Sequence, residues 1–224
     1  MTTTPCPVCR EGAPRPFMTV EGREYRRCPA CAATLLDARH RLGPAEERAV
    51  YEQHRNDPGD PGYRRFLSRL ADPLLARLAA GCLATGCRGL DYGCGPGPAL
   101  AAILREAGHA VALYDPFFRP DPAPLADTYD FVTCTEVAEH FHRPAEEFDR
   151  LGRLLRPGGW LAVMTCFQAD DARFAAWHYR RDPTHVVFYR AATFRRIAAQ
   201  RGWRCEIPAK DVALLQAPAA GRER

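Results

Sequence analysis

Lysine is nearly absent from this chain of 224 residues: Lys210 stands alone in a Lys+Arg total of 31, so arginine carries almost all of the positive charge. That bias reads as genome composition rather than function. Long hydrophobic runs are also missing, and no apolar stretch approaches the ~18–20 residues that span a bilayer. The start, Met1-Thr2-Thr3-Thr4-Pro5, lacks a basic region followed by an apolar core. No secretory signal is expected, and the location expected is cytoplasmic. There is no internal repeat, which excludes a solenoid, and no low-complexity tract. A net charge of +4 is too small to demand a nucleic acid or another anionic partner. What remains is a globular composition, 46% hydrophobic and 26% charged, long enough for one domain plus a small appendage.

Cysteine, by contrast, is plentiful. Ten cysteines in a chain without an export signal point to metal ligands and buried thiols rather than a disulfide framework. Four form two pairs, Cys6-x2-Cys9 and Cys28-x2-Cys31, separated by eighteen residues. Each pair grips one side of a Zn²⁺ ion, and four thiolates close its tetrahedral shell. A closed shell leaves no open position, so a zinc ion here is structural. The other six, Cys82, Cys87, Cys94, Cys134, Cys166 and Cys205, are scattered and read as thiols serving as small hydrophobes.

Three segments follow from the patterning. Residues 1–42 hold both pairs and too little apolar periodicity for a core of their own, which suggests a four-cysteine zinc ribbon. Residues 43–80 read as a helical linker or lid. Pro44 suits a first helical position, Ala45 to His54 continue that helix, and the turn-rich stretch Asn56 to Gly62 breaks it. A second helix carries Phe66, Leu67 and Leu70, with a restart expected at Asp72-Pro73. Residues 81–224 alternate short apolar runs with helical ones, the mark of βαβ units. Strands are expected at Gly89 to Cys94, Ala110 to Tyr114, Tyr129 to Cys134, Trp160 to Phe167, Trp203 to Ile207 and Val212 to Gln216. Helices fall at Pro98 to Gly108, Pro144 to Leu155 and Ala191 to Arg201.

The run Leu90-Asp91-Tyr92-Gly93-Cys94-Gly95-Pro96-Gly97 lies between a strand and a helix. Glycines there admit a ligand close to the backbone, and the helix start offers unpaired N–H groups. Asp115 ends the next strand, where a carboxylate can accept both hydroxyls of a ribose. The glycine spacing is G-x-G-x-G, not the G-x-G-x-x-G that suits a dinucleotide pyrophosphate.

Leu90 to Gly97 resembles the first motif of class I S-adenosylmethionine (SAM)-dependent methyltransferases, and Tyr114-Asp115 resembles their second. Tyr129-Asp130-Phe131-Val132 and Leu154-Leu155-Arg156-Pro157-Gly158-Gly159-Trp160 are similar to their fourth strand and to the turn before the fifth. The resemblance implies an α/β, Rossmann-like sheet with helices on both faces. It implies SAM as cofactor, bound by Asp91, Gly93, Cys94, Gly95, Gly97, Asp115, Pro116, Phe117 and Thr135. Gly93 and Gly95 would lie under the methionine part, Asp115 would hold the ribose, and Asp91 would orient the loop. Only thirteen residues separate Asp115 from Tyr129, too few for the family's helix, strand and helix, so one strand is expected to be missing. With it goes the residue that usually reads adenine, leaving Phe117 or Phe118 to pack on the ring.

Beyond the third of these strands comes Thr135-Glu136-Val137-Ala138-Glu139-His140, and Asp182-Pro183-Thr184-His185 follows later. On a helical turn Glu136, Glu139 and His140 face one way. With His185 they resemble the Glu-x-x-Glu-His plus distant His of small-RNA 2′-O-methyltransferases and ubiquinone-pathway O-methyltransferases. These four residues are the candidate catalytic set, and the resemblance implies a divalent cation such as Mg²⁺ on the acceptor hydroxyl. Without a cation, His140, His178 or His185 is the candidate general base. His54 and His142 show no recognisable partner, and His109 sits in a surface-like turn. Trp177-His178-Tyr179-Arg180-Arg181 reads either as a lid or as an amphipathic helix with a basic exposed face.

The favoured activity is O-methylation of a small molecule by direct displacement. No Asn-Pro-Pro-Tyr-type motif of amino-group methylases is present, nor the Pro-Cys of cytosine C5 enzymes. One alternative is an RNA methyltransferase whose ribbon docks RNA, since residues 1–42 hold seven Arg against four Asp or Glu. That segment lacks aromatic-basic interleaving, with only Phe17 and Tyr25. Others are a non-enzymatic SAM- and zinc-binding module, and a nicotinamide-dependent dehydrogenase.

Overall fold

A computed structural model describes residues 4–53, 56–79 and 86–220. The chain opens with three antiparallel strands, β1 (Arg15–Val20), β2 (Arg23–Arg27) and β3 (Thr34–Leu36). Two helices follow, α1 (Pro44–Tyr51) and α2 (Pro61–Leu78). The main sheet and its crossovers are β4 (Arg88–Tyr92), α3 (Ala99–Glu106), β5 (Ala110–Tyr114), β6 (Tyr129–Thr135), α4 (Pro144–Arg153) and β7 (Leu155–Met164). The chain ends with β8 (Val187–Phe188), α5 (Ala191–Gln200), β9 (Arg204–Ala209) and β10 (Val212–Gln216). Among the described residues, no helix is long and apolar enough to cross a membrane.

The main sheet has the order β5-β4-β6-β7-β10-β9. Its β5, β4, β6 and β7 run parallel, and β10 and β9 complete it antiparallel. Between β5 and β6 there is only the short 3₁₀ turn Ala123–Ala126, so the expected shortening by one strand is present. Buried side chains alternate across this sheet with the period of two that a strand imposes. Leu161 and Val163 face a core shared with α4, α5 and the N-terminal strands, while Ala162 and Met164 face α2 and α3. Helices cover both faces.

Local chemistry explains where α2 begins and why it does not break. The Asp60 carboxylate accepts from the Tyr63 N–H at 2.6 Å, and Pro61 takes the first position. The expected restart at Asp72-Pro73 does not occur: the helix runs through Pro73. Leu67, Leu70, Ala71, Leu74 and Leu78 form one buried stripe against the sheet, and that packing outweighs the loss of one backbone hydrogen bond. Helix α1 stops at Tyr51, and His54 lies outside the described residues. The Arg156-Pro157-Gly158-Gly159 turn is absorbed into β7 as an irregularity in its register with β6.

The N-terminal strands do not stand apart. Strand β8 pairs with β3, Thr34 opposite Phe188 and Leu35 opposite Val187. The four cysteines of the pairs therefore share one buried cluster with Phe188, Phe194 and Leu215. Cys94, Cys134, Cys166 and Cys205 are free thiols as expected, and Cys82 lies outside the described residues. Cys87 is disulfide-bonded instead.

Candidate active site

Beyond the C-terminal ends of β4, β5 and β6 opens a cleft of about 700 Å³, the place and size at which open α/β sheets hold ligands. Asp91, Gly93, Cys94, Gly95, Gly97, Asp115, Pro116, Phe117 and Thr135 all line it. Glu136, Glu139, His140 and His185 line its other half. Two expected groups of residues thus meet in one cavity, which His185 joins from much later in the chain.

On the cofactor side, Gly93 has φ +80°, and a Cβ there would sit 2.4 Å from Val137. A Cβ on Gly97 would lie 1.7 Å from the Asn56 carbonyl oxygen. Asn56, which precedes α2, therefore lies directly against the glycine loop. Asp115 fastens the loop to the next turn. Its carboxylate accepts from the Gly95 N–H at 2.9 Å and from the Phe117 and Phe118 N–H groups at 2.8 and 3.0 Å. A carboxylate offers about four lone-pair sites, so acceptor capacity remains for a ribose. Phe117 lies 5.1 Å from the Tyr51 ring, which makes an aromatic wall. Thr135 Oγ1 is buried with no partner among the described residues, a hydroxyl free to meet a ligand.

Asp91 is buried, and that burial pushes its carboxyl up to about 6, against the Thr133 hydroxyl that donates to it at 2.7 Å. Its ordinary value is 3.8, so the stability this group contributes is present below that pH and lost as pH rises through 6. Asp91→Asn is therefore expected to stabilise the ligand-free protein at pH 8, by up to about 3 kcal/mol, with the gain vanishing below pH ~4. Urea unfolding midpoints at the two pH values check this. An equal gain at both would exclude buried charge as the cause.

The side of the cleft that holds Glu136, Glu139, His140 and His185 is built differently from expectation at one point. Glu136, Glu139 and His140 do not share a helical face. Glu136 has φ +52° and its N–H donates to the Met164 carbonyl at 2.8 Å, so it ends the strand in a left-handed kink. Only Ala138–His140 forms a 3₁₀ turn. The ligand atoms of Glu139, His140 and His185 lie within 4.8 Å of one another, and Glu136 stands outside that set. Burial, then the charge of Glu139, pushes the Glu136 carboxyl up to about 9.

Glu139 is completely buried. Its Oε1 accepts from the Tyr179 hydroxyl at 2.5 Å and lies 4.0 Å from Nε2 of both His140 and His185. Its Oε2 is buried without a partner among the described residues. Nδ1 of His140 is 3.1 Å from the Thr184 carbonyl, and Nδ1 of His185 is 2.7 Å from the Tyr179 carbonyl. A carbonyl only accepts, so each Nδ1 carries the proton and each ring turns its Nε2 toward the cluster. Burial lowers the pKa of His185 and keeps it neutral. Asp182, whose Oδ2 is 3.8 Å from His185 Nε2, is held low because hydrogen bonds from the Thr184 hydroxyl and N–H outweigh its burial.

Several expectations on the surrounding residues change. Trp177 to Arg181 is neither a lid nor an exposed basic helix. It carries the 3₁₀ turn His178–Arg181, with Tyr179 and Arg180 buried. His178 does not line the cleft. His142 has a partner after all, Glu47 at 2.6 Å. His109 Nδ1 accepts from the Cys87 N–H at 3.1 Å, and burial lowers its pKa. Tyr179, Asp182 and Tyr51 are site neighbours that the sequence reading did not select. Asp182 stood in a run already singled out, three residues before His185.

In the ribbon, Cys6 and Cys31 Sγ are 3.8 Å apart and Cys9 and Cys28 Sγ 3.6 Å. All four sulfurs lie within 4.8 Å of one another. Zn–S bonds of about 2.3 Å imply tetrahedral edges of about 3.8 Å, so the quartet fits zinc.

A family model described as a methyltransferase domain matches residues 63–206. The ubiquinone biosynthesis O-methyltransferase of Xylella fastidiosa is 29% identical over 108 residues, covering 36% of this chain and 42% of that protein. The biotin biosynthesis bifunctional protein BioCD of Bordetella avium is 31% identical over 144 residues, covering 55% of this chain and 30% of that protein. This chain thus aligns with less than half the length of either relative. A crystal structure of Burkholderia thailandensis 1,6-didemethyltoxoflavin-N1-methyltransferase with bound 1,6-didemethyltoxoflavin and S-adenosylhomocysteine is 19% identical. It covers 91% of this chain and 99% of that one, at a TM-score of 0.45.

Proposed function

Because this chain belongs to the methyltransferase-domain family, we propose that it transfers the methyl group of SAM to a hydroxyl oxygen of a small molecule, beside a divalent cation. The observation that carries the cation is Glu139: a buried carboxylate with one unpartnered oxygen, next to two imidazoles whose Nδ1 protons are already committed. Metal-binding histidines are oriented in this way, with the second nitrogen donating to a carbonyl. Glu139, His140 and His185 would hold the ion, and Glu136 stands near enough to feel the charge of Glu139. Two imidazoles beside carboxylates make Mn²⁺ or a later transition ion a better match than Mg²⁺. When bound, such an ion lowers the pKa of the acceptor hydroxyl and fixes its position.

The residues of the chain do the rest. Asp115 and Thr135 hold the cofactor, with Tyr51 and Phe117 as an aromatic wall. The cluster sets the acceptor oxygen in line behind the S–CH₃ bond. The O–CH₃ bond forms as the S–CH₃ bond breaks, its electrons stay on sulfur, and the hydroxyl proton leaves to solvent. A cation-free route would use the neutral His185 Nε2 as the base that takes this proton. A concave cleft of about 700 Å³ is of the size that takes a small acceptor. The four-cysteine ribbon would carry structural zinc.

The test is to incubate a metabolite extract with enzyme and isotopically labelled SAM, with and without EDTA. We expect label on a hydroxyl-derived methoxy group, and little of it in EDTA. Full turnover in EDTA would select the His185 base. Label on nitrogen or on RNA would reject the acceptor class.

A further inference from the structure

Arg180 is the largest fully buried side chain among the described residues, 1% exposed, and it lies beside the acceptor cluster without touching it. Its Nε and Nη2 donate to the Ala175 carbonyl at 3.2 and 3.0 Å. Nη1 reaches the Tyr25 hydroxyl at 3.4 Å and Nη2 the Glu21 carboxylate at 3.1 Å. Tyr25 sits on β2 and Glu21 in the turn between β1 and β2, so the guanidinium is held by the four-cysteine ribbon. The next residue back, Tyr179, makes two contacts with the cluster: its hydroxyl donates to Glu139, and its carbonyl receives the Nδ1–H of His185. A backbone route runs alongside. Leu36 N–H in β3 donates to the Val186 carbonyl, and Val186 N–H donates to the Glu139 carbonyl, both at 2.9 Å.

We propose that Arg180 is a positioning residue through which the four-cysteine ribbon holds Tyr179, and through Tyr179 the side chains of Glu139 and His185, in their working geometry. A guanidinium is an expensive way merely to fill space. An apolar side chain of similar length would pack there at little cost, whereas a buried charge demands partners with fixed directions. Those directions are what the charge supplies: one end on the ribbon hairpin, the other on the Ala175 carbonyl just before the turn that bears Tyr179. The ribbon, on this view, is a wall of the acceptor site as well as a support for the fold. The inference concerns the cluster proposed above to bind a cation, and its test is chosen so that the two can fail separately.

The experiment compares the full-length protein with Arg180→Met and Arg180→Lys, and with the milder pair Glu21→Gln and Tyr25→Phe combined. Zinc content and SAM affinity report the ribbon and the cofactor half. The downfield proton resonance of the His185 Nδ1–H, assigned by its loss in His185→Gln, reports the cluster without any metal. Mn²⁺ binding reports the cluster as a ligand set. For Arg180→Met we expect unchanged zinc, SAM affinity within about twofold, loss of the His185 resonance, and Mn²⁺ binding weaker by about ten- to a hundredfold, as when other outer contacts of metal ligands are cut. Arg180→Lys should recover part of each. A His185 resonance that persists unshifted in Arg180→Met, or one absent from the unmodified protein, overturns the proposal. Should Arg180→Met fail to fold, the Glu21 and Tyr25 double variant decides by the same resonance. An unmodified protein that binds no Mn²⁺ removes the cation reading and leaves Arg180 to be judged by the resonance.

Discussion

Glu139→Ala is expected to lower kcat about a thousandfold while SAM affinity stays within about twofold. The expected loss is several kcal/mol because the carboxylate organises everything on its side of the cleft. It accepts the Tyr179 hydroxyl and faces both imidazole nitrogens. The residues proposed to hold the cofactor, by contrast, are the loop Gly93 to Gly97, Asp115 and Thr135, for which no hydrogen bond to Glu139 is found among the described residues. Loss of kcat without loss of cofactor binding is the signature of an interaction made with the acceptor or its transition state. His185→Ala should behave alike. Glu139→Gln separates the causes, since the amide oxygen can still accept from Tyr179 but carries no charge. Steady-state kinetics with the acceptor found by labelling, and calorimetry with SAM, are the measurements. A Glu139→Gln enzyme with near-normal kcat would mean that the hydrogen bond matters and the charge does not, and the cation would have to be given up.

The glycine-loop side of this cleft was legible as structure because its signals are local. A strand, a glycine turn and a helix lie within twenty residues, and Asp115 terminates the adjacent strand. The shortened sheet was legible for a similar reason: thirteen residues between Asp115 and Tyr129 cannot hold a strand and two helices. The acceptor half was legible only as a list. Glu139, His140 and His185 do converge, but the helical spacing that suggested Glu136 as their equal fails at its left-handed backbone. Nothing in the local string announces that kink, because Glu136 is not a residue type that prefers it. Tyr179 and Arg180 were missed through distance. The partner that helps bury the Arg180 guanidinium, Tyr25, is 155 residues away, and a run with Arg at two neighbouring positions reads as solvent-facing until such a partner is known. Strand β8 shows the same limit. Two residues from the methyltransferase-domain segment complete the sheet of the N-terminal ribbon, and no periodicity in either segment predicts the pairing.

That pairing determines what loss of zinc should do. If the ribbon were an independent module, chelation would melt residues 1–42 and spare the rest, giving two transitions. Here Cys28 and Cys31 share one buried cluster with Phe188, Phe194 and Leu215, the Cys31 carbonyl accepts from the Thr193 hydroxyl at 2.8 Å, and the Ala145 N–H donates to the Pro7 carbonyl at 2.9 Å. Structural zinc sites contribute about 10–16 kcal/mol in small zinc-finger peptides, against a typical total stability of about 5–15 kcal/mol for a domain. Even a fraction of that contribution is comparable with the whole. Cys28→Ser, or exhaustive chelation, is therefore expected to abolish the single cooperative unfolding transition of the full chain, with loss of near-ultraviolet dichroism and of SAM binding together. Calorimetry on the zinc-loaded and chelated protein is the check. A chelated protein that keeps its transition temperature, or one that loses a small separate transition while still binding SAM, would show that the ribbon is an appendage and not part of the core.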